Sequence, residues 1–503
     1  MRERLPAPLL AREEAVMDEA WFIALGYVVF LLYTCGIMYL GILLEKKTNI
    51  DKTVCRKLTH VVSAFVWVIC YHFFGCSIHW VLLNFLGAIA LGFITLNKRF
   101  SAFGRDDGEK SPGMFYFALS TAVVALICYL VGSELYLYTG IAYYCLALGD
   151  GLAPLTSRLF GKHNLQIRPH KTLVGSATVF IVSFLSTLLF SELFGMGLSL
   201  VFIASVAALT TVTEFYGFRG TDNIFIELFV FGYLLLYHYG LVSLALEVVL
   251  ILSPILAFLA VGSGAMATDA GIAAFFLFAL VGFFGKGFTP IFFIGLLFLI
   301  STVVSYVGKR IVKKRGEDTD SHKARRAKQI IAVGLFAIIA LILHSVTEKA
   351  IFYHIFFLAL VEQIADSMAS DIGRLTKRKN INIITWRPIE KGISGGVSAL
   401  GTVAALISSF ILTAVPYFLG ALSLKVFVFI GILAFVGTVI DSVVGALFQS
   451  LYLCDGCSRK VESPMHCGKP ARLIKGLGII DNVAVNYIAG FVTCAMGALL
   501  IFI

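Results

Sequence analysis

An aspartate followed by arginines, a lysine and glycines occurs twice in this chain. Arg158 follows Asp150 by eight residues, and Arg374 follows Asp366 by the same distance. Each copy then continues with Arg168, Lys171, Gly175 and Ser176 in the first half, and with Arg387, Lys391, Gly395 and Gly396 in the second. Carboxylates hold Mg²⁺, arginine and lysine neutralise phosphate, and glycines let a phosphate approach the backbone. The pattern predicts two sites for an anionic ligand that carries a metal ion.

Further acidic residues add candidate magnesium ligands to Asp150 and Asp366. They are Glu214 and Asp222 in the first half, and Asp441 and Asp481 in the second. Phosphoryl transfer relies mainly on metal ions and cations that stabilise charge, and Lys171 and Lys391 are the candidate catalytic cations. Asp441 is the only charged residue of segment 426–453. Because an ionisable residue inside a membrane is costly, we expect Asp441 to be functional.

The composition indicates which kind of scaffold must position these residues. Of 503 residues, 59% are hydrophobic and 14% are charged, which excludes a soluble enzyme and a disordered chain. A membrane span needs about 20 apolar residues, and roughly fifteen or sixteen such runs can be identified. We therefore predict an all-α polytopic membrane protein. Residues 1–20 lack the order of a signal peptide and are expected to form an exposed polar leader, and the run 21–44 is expected to remain as a span.

The net charge of +10 is concentrated in a few loops. Of the 40 lysines and arginines, 33 lie in the stretches 45–57, 97–111, 151–171, 309–328, 374–391 and 454–475. Pairs of apolar runs separate these stretches, so all of them can lie on one side, which the positive-inside rule makes cytoplasmic. Topology alone would explain the basic residues but not the acidic residues among them. This distribution favours contact with membrane lipids over nucleic acid.

The chain contains an internal repeat in parallel orientation. Residues 56–62 and 325–331 each open an apolar run with basic residues, and Asp-Asn pairs at 222–223 and 481–482 occupy matching positions. The shared order of groups predicts two homologous halves, joined by the small-residue segment 262–270. We expect membrane domains at 21–265 and 266–503. Polar groups clustered at one interface favour an enzyme, whereas many transporters have a site at the midplane.

One turn of helix brings His60 close to Arg56 and Lys57, which are candidate phosphate-binding residues. His60 could accept the proton of an alcohol, although an interfacial histidine can equally be a packed residue. The matching position in the second half is Gln329. A half that acts on an ionised phosphate would need no base.

Four residues near the end of the chain resemble a zinc-binding set. They are Cys454, Cys457, His466 and Cys467. The Cys-x-x-Cys spacing suits zinc, but an adjacent His and Cys cannot easily reach one metal together. A zinc ion here would be structural. The ten cysteines do not suggest disulfide pairing.

Several motifs make the first half resemble the polyprenol kinase family, which includes phytol and dolichol kinases. They are Arg56-Lys57 with His60, Gly149-Asp150-Gly151 with Ala153-Pro154, Lys171-Thr172 with Gly175-Ser176, and Glu214 with Asp222-Asn223. The resemblance implies transfer of phosphate from a nucleoside triphosphate, typically CTP, to an isoprenoid alcohol. The sequence departs from the family at Thr221, where a second acidic residue is often found.

The second half resembles a different membrane family, which contains plant phytyl-phosphate kinase. The motifs are Asp366-Ser367, Ser370-Asp371-Ile372-Gly373, Gly395-Gly396 with Gly401, Gly437 with Asp441-Ser442 and Gly445, and Asp481-Asn482 with Asn486. This resemblance implies conversion of a lipid monophosphate to the diphosphate.

Together the two resemblances imply an isoprenoid kinase with two successive steps. We expect Mg²⁺, CTP or ATP, an isoprenoid alcohol or its monophosphate and membrane lipids as cofactors and partners. Both sites would face the cytosol, in the cell membrane if the source is a prokaryote. The alternatives are a CTP-dependent cytidylyltransferase acting on a lipid phosphate, and a lipid-phosphate transporter or flippase.

Overall fold

Helices account for 78% of the computed structural model, which confirms the predicted all-α membrane fold. Eleven helices among the described residues are long and apolar enough to cross a membrane, and three more are shorter apolar helices. The apolar stretch 135–149 is not one helix, because an α-helix there passes into a π-helical turn. All ten cysteines are free. The described residues are 20–47, 52–96, 113–160, 166–168, 171–217, 220–262, 264, 266–314, 325–376, 379–390 and 393–500, so most of the predicted leader lies outside them.

The chain divides into two compact units, Met1–Ile251 and Leu252–Ile503. The division falls inside one helix, Leu244–Gly262, rather than in the small-residue segment that follows it.

The first unit is built from ten helices and one short hairpin in its described residues. In chain order they are α1 (Ala20–Lys47), α2 (Lys52–Val62), α3 (Phe65–Phe73), α4 (Ile78–Leu96), α5 (Gly113–Val131), a 3₁₀ turn (Ser133–Leu135), α6 (Tyr136–Tyr144), the π turn (Cys145–Asp150), α7 (Gly151–Phe160), β1 (Gln166–Arg168), β2 (Lys171–Thr172), α8 (Leu173–Leu193), α9 (Leu200–Tyr216) and α10 (Asp222–His238). The helix at the division is α11 (Leu244–Gly262).

Helix α7 lies between α2 and α8, so it connects the elements that carry the predicted first site. Gly151 permits the contact with α2, because a Cβ there would lie 2.7 Å from Val61 Cγ2. The antiparallel hairpin β1–β2 leads directly into α8. Thr172 begins that helix as its N-cap, and its hydroxyl accepts a hydrogen bond from the Gly175 amide at 3.1 Å, which satisfies one of the free amides of the first turn.

The second unit contains seven helices and eight short strands in its described residues. In chain order they are α12 (Thr268–Phe284), α13 (Phe288–Lys314), α14 (Ala327–Thr347), α15 (Ala350–Gly373), β3 (Asn380–Asn382), β4 (Pro388–Ile389), β5 (Gly396–Val397), α16 (Ala399–Phe418), α17 (Leu424–Phe448), β6 (Leu451–Leu453), β7 (Lys460–Val461), β8 (Met465–His466), β9 (Lys469–Pro470), β10 (Arg472–Lys475) and α18 (Asn482–Leu500). The sheet orders are β4-β3-β5 and β10-β6-β7, and β8 pairs with β9.

Helix α15 is central in this unit and packs against α13, α14, α16, α17 and α18. Two glycines allow α15 and α16 to approach closely, since a Cβ on Gly373 would lie 3.3 Å from Gly401 Cα. Small residues are common at such contacts in membranes. Of the acidic residues on this helix, Glu362 is buried and Asp366 and Asp371 are half-buried.

The start of α16 repeats the start of α8. Ser398 is the N-cap, and its hydroxyl accepts a hydrogen bond from the Gly401 amide at 3.1 Å. By the position of the helix cap, Gly175 therefore corresponds to Gly401. The sequence alignment instead matches Gly175-Ser176 with Gly395-Gly396. The reason is that the two halves reach the capping residue through connections of different length.

Candidate active sites

In the first unit a buried ion pair joins α2 to the π turn. Lys57 Nζ lies 2.6 Å from Asp150 Oδ2 and also donates to the Asp150 carbonyl at 3.1 Å. Asp150 is only 2% exposed. His60 Nδ1 lies 3.6 Å from the same carboxylate oxygen, while its Nε2 is buried without a hydrogen-bond partner among the described residues. The structure thus brings the predicted residues Lys57, His60 and Asp150 together in one group.

A second group contains Lys171, Glu214 and Asp222. Lys171 Nζ donates to Glu214 Oε1 and, at 2.6 Å, to the Glu214 carbonyl, and it lies 3.6 Å from Asp222 Oδ2. Burial alone would lower the pKa of Lys171, but the neighbouring carboxylates of Glu214, Asp222 and Asp150 raise the pKa above its ordinary value. The lysine predicted to meet phosphate therefore neutralises predicted magnesium ligands.

These two groups form a single electrostatic cluster, because the Asp150 carboxylate acts on both Lys171 and Glu214. Two ammonium groups face three carboxylates. Carboxylates gathered in this way are ligands that suit a bound cation.

The other predicted residues of this half lie around the cluster. Ser176 Oγ is buried without a described partner, one residue after the capping Gly175. Arg158 is exposed on α7, and Arg56 lies on α2 near His60. Arg168 pairs with Lys171 in the hairpin backbone, and its side chain lies outside the described part.

Sequence reasoning missed a buried acid on α10. Glu227 is 0% exposed, and its Oε2 accepts hydrogen bonds from Ser120 Oγ at 2.5 Å and Thr121 Oγ1 at 3.0 Å. Its other oxygen has no partner among the described residues. The sequence signal that could have identified Glu227 is its position as the single acidic residue of the apolar run 223–240.

The second unit contains a cavity of about 800 Å³. Five of the predicted residues line it, namely Asp366, Arg374, Gly395, Gly396 and Asp441. Arg325 and Gln329, which match Arg56 and His60 in the repeat, also line it. Arg325 donates hydrogen bonds to Ser301 Oγ at 2.7 Å and to Ser305 Oγ at 3.1 Å.

Two of these lining acids, Asp366 and Asp441, lie near a third acid, Glu362, which does not itself line the cavity. Glu362 and Asp366 of α15 are close enough to Asp441 of α17 for their charges to interact. Glu362 is 0% exposed, and its Oε1 has no partner in the described part of the chain. Among the described residues no lysine or arginine forms an ion pair with any of the three, in contrast to the first unit. With its amide turned to donate, Asn486 reaches Asp441 Oδ2 at 3.2 Å.

Glycines provide the space that these acids need. A Cβ on Gly437 would lie 2.4 Å from Glu362 Cγ. Gly395 has φ +79°, and a Cβ there would lie 2.4 Å from Ala446 Cβ. The loop at 393–396, here called the glycine loop, therefore lies directly against α17. Its Ser394 amide donates to Glu462 Oε1 at 2.7 Å.

Some predicted residues of this half lie elsewhere. Asp481 does not line the cavity; its Oδ1 accepts from the amides of Val483 and Ala484 at 3.0 Å each, and it pairs with Lys328 at 2.7 Å. Although burial opposes the shift, Lys328 and these amides lower the pKa of Asp481. Arg387 is exposed beside β4 and is also absent from the lining. Lys391 lies outside the described residues.

The predicted zinc set is brought together. Ligand atoms of Cys454, Cys457, His466 and Cys467 all lie within 4.8 Å of one another.

Comparison with known proteins relates the second unit to one family. Residues 251–494 match the model of the integral membrane protein family DUF92. Similar proteins include a phytol kinase of Synechocystis sp., 26% identical over 201 residues, which are 39% of this chain and 84% of that protein. A chloroplast farnesol kinase of Arabidopsis thaliana is 27% identical over 209 residues, 39% of this chain and 64% of that protein.

The Arabidopsis thaliana chloroplast protein VTE6 is 25% identical over 185 residues, 36% of this chain and 55% of that protein. The match thus spans less than two thirds of each of the two plant proteins. Other relatives include two uncharacterized membrane proteins. No solved structure matches the chain. The predicted resemblance is confirmed: this is a multi-pass membrane protein related to phytol and farnesol kinases.

Proposed function

We propose that the first unit transfers phosphate from a nucleoside triphosphate to a prenyl alcohol. The observation that carries this proposal is the buried contact of Lys57, His60 and Asp150, in a chain related to phytol and farnesol kinases. The contact combines a base with an acid that orients it.

In this reaction His60 Nε2 accepts the proton of the alcohol while the alcohol oxygen bonds to the terminal phosphorus. The bond between that phosphorus and the bridging oxygen breaks, and the nucleoside diphosphate leaves. Asp150 Oδ2 lies 3.6 Å from His60 Nδ1, so its charge would stabilise the protonated ring. Lys57 and Lys171 are the cations closest to the acids and offset charge that develops on phosphate.

Carboxylates with water and phosphate oxygens are ligands that suit Mg²⁺. Asp150, Glu214 and Asp222 fit such a role, because these three carboxylates lie in one cluster. Asp366 and Asp441 fit it in the second unit, where no described lysine or arginine forms an ion pair with them and Glu362 Oε1 has no hydrogen-bond partner among the described residues. A Mg²⁺ held by these residues would act as a Lewis acid and neutralise phosphate charge.

We further propose that the second unit phosphorylates the lipid monophosphate to the diphosphate, with both sites facing the cytosol. The cavity of about 800 Å³ is large enough for a nucleotide. Gln329 lines it where the first half has His60. This difference supports an acceptor that is already ionised and needs no base.

The test incubates purified protein with CTP or ATP carrying a labelled terminal phosphate, Mg²⁺, and phytol, farnesol or geranylgeraniol. We expect Asp150→Asn to lose the monophosphate and Asp366→Asn to accumulate it. Glu192→Gln and Glu348→Gln alter exposed acids outside both sites and should retain both products.

The products separate this function from the alternatives. A lipid carrying cytidine diphosphate would instead identify a cytidylyltransferase. If no nucleotide is turned over with any alcohol or lipid phosphate, the kinase assignment fails and a transporter becomes the better explanation. If Asp366→Asn yields normal diphosphate, the second unit does not perform the second step.

A further inference from the structure

The cysteine-histidine cluster lies in a segment with little packing of its own. No residue from 455 through 470 is buried, and the strands β7, β8 and β9 have two residues each. Such short strands are marginal without further support. Cys454, at the start of the segment, is only 1% exposed. Some other interaction must therefore keep this segment in place.

The geometry of the four side chains suits a tetrahedral metal ion. Cys457 Sγ and Cys467 Sγ lie 3.4 and 3.2 Å from His466 Nδ1, and all four ligand atoms lie within 4.8 Å of one another. Zinc bonds of about 2.3 Å to sulfur and 2.0–2.1 Å to nitrogen place tetrahedral ligand atoms about 3.5–3.8 Å apart. Small movements would complete the site.

The turn after His466 explains how two adjacent residues reach one ion. Consecutive side chains of a strand point to opposite faces. Cys467 and Gly468 instead have φ +50° and +72° and form the two-residue turn between β8 and β9. Positive φ at both positions is typical of a tight hairpin turn. Cys467 thereby leaves the strand, and its sulfur lies beside His466.

We propose that Cys454, Cys457, His466 and Cys467 bind one Zn²⁺, and that this ion holds Glu462 against the glycine loop of the second cavity. Glu462 lies between the two halves of the ligand set, five residues after Cys457 and four before His466. Its Oε1 accepts the Ser394 amide at 2.7 Å, and it lines the cavity. Binding energy at a structural zinc site is folding energy. Glu462 is thus a positioning residue, whatever lipid or nucleotide the cavity accepts.

The first measurement is the metal content of the full-length purified protein. We expect about one zinc per chain in the wild type and in Cys35→Ser, which changes an exposed cysteine of the first unit. Cys457→Ser and Cys467→Ser should lose most of this zinc. Wild-type protein without zinc, or with another metal in its place, would overturn the proposal.

The second measurement is hydrogen exchange at the Ser394 amide, read in peptides covering 393–397. Chelation of the wild type, or Cys457→Ser, should speed exchange there by about tenfold. Glu462→Ala should do the same while keeping its zinc, whereas Glu462→Gln keeps an acceptor oxygen and should exchange like the wild type. Zinc removal without faster exchange at Ser394 would refute the positioning role. Neither measurement requires kinase activity, so the outcome is independent of the proposed reaction.

Discussion

The Lys57–Asp150 pair offers a sharp test of the first site, because Lys57→Met removes only one of two buried charges. The ammonium and carboxylate atoms lie 2.6 Å apart, and their side chains are 12% and 3% exposed. At an effective dielectric constant of about 20 their attraction is roughly 6 kcal/mol before the cost of desolvation. Removing one partner of a buried pair costs about 3–5 kcal/mol. Lys171 partly compensates Asp150, so we expect the lower value, about 3 kcal/mol.

The assay is the thermal unfolding midpoint of the detergent-solubilised protein. A loss of this size should lower the midpoint by roughly 6–12 °C for a unit of about 250 residues. Lys286→Met is the matched control, because it breaks an ion pair with Glu348 at the surface. The side chains of Lys286 and Glu348 are 54% and 78% exposed. Exposed pairs contribute at most about 1 kcal/mol, or roughly 4 °C or less.

A double variant separates charge from packing. Asp150→Asn added to Lys57→Met removes the uncompensated carboxylate, so the double variant should be more stable than Lys57→Met alone. The electrostatic explanation is wrong if Lys57→Met and Lys286→Met shift the midpoint equally. It is also wrong if the double variant is no more stable than the single one.

Three further predictions concern the second unit. Gly437→Ala should destabilise the protein by about 1–3 kcal/mol in thermal unfolding, because the methyl would overlap Glu362; Gly232→Ala, where the space is open, should not. Ser398→Ala removes a helix cap and should cost about 1 kcal/mol in the same assay, a prediction that an unchanged midpoint would contradict. The pKa of Asp481 is lowered in the folded protein, so its contribution to stability is present at neutral pH and is lost as the pH falls below about 4. Asp481→Asn should therefore flatten the pH dependence of the unfolding midpoint below a pH of about 4. An unaltered slope would contradict this contribution of Asp481.

The membrane-spanning fold and most of the acidic site residues could be predicted from the sequence. Charged residues are easily recognised in a chain that is otherwise apolar. Asp150 and Asp441 are buried and Asp366 is half-buried, each at an element that meets neighbouring helices. The partner of Lys171 could not be predicted, since an ammonium group is attracted to a carboxylate and to a phosphate alike. Only the folded chain shows that Glu214 is its immediate neighbour.

Features that depend on local backbone geometry were also beyond the sequence. The repeat was aligned through glycines, whereas the structure aligns it through the caps Thr172 and Ser398. Hydropathy does not reveal the π turn, because adding one apolar residue to a helix does not change the apolar character of the segment. The convergence of His466 and Cys467 depends on a hairpin turn that residue spacing alone does not specify.

The π turn at Cys145–Asp150 restricts how this protein can change by insertion and deletion. A π turn holds one residue more than an α-helical turn and is often found at functional sites. Deleting one residue of the turn would allow a regular α-helical turn, in which successive residues are about 100° apart, so the side chains within the turn would point in new directions. Asp150 belongs to the turn itself, so its carboxylate would move away from Lys57. Length is therefore fixed in this part of a helix as strictly as residue identity is, and lineages that retain the first site should share the same number of residues between α6 and α7.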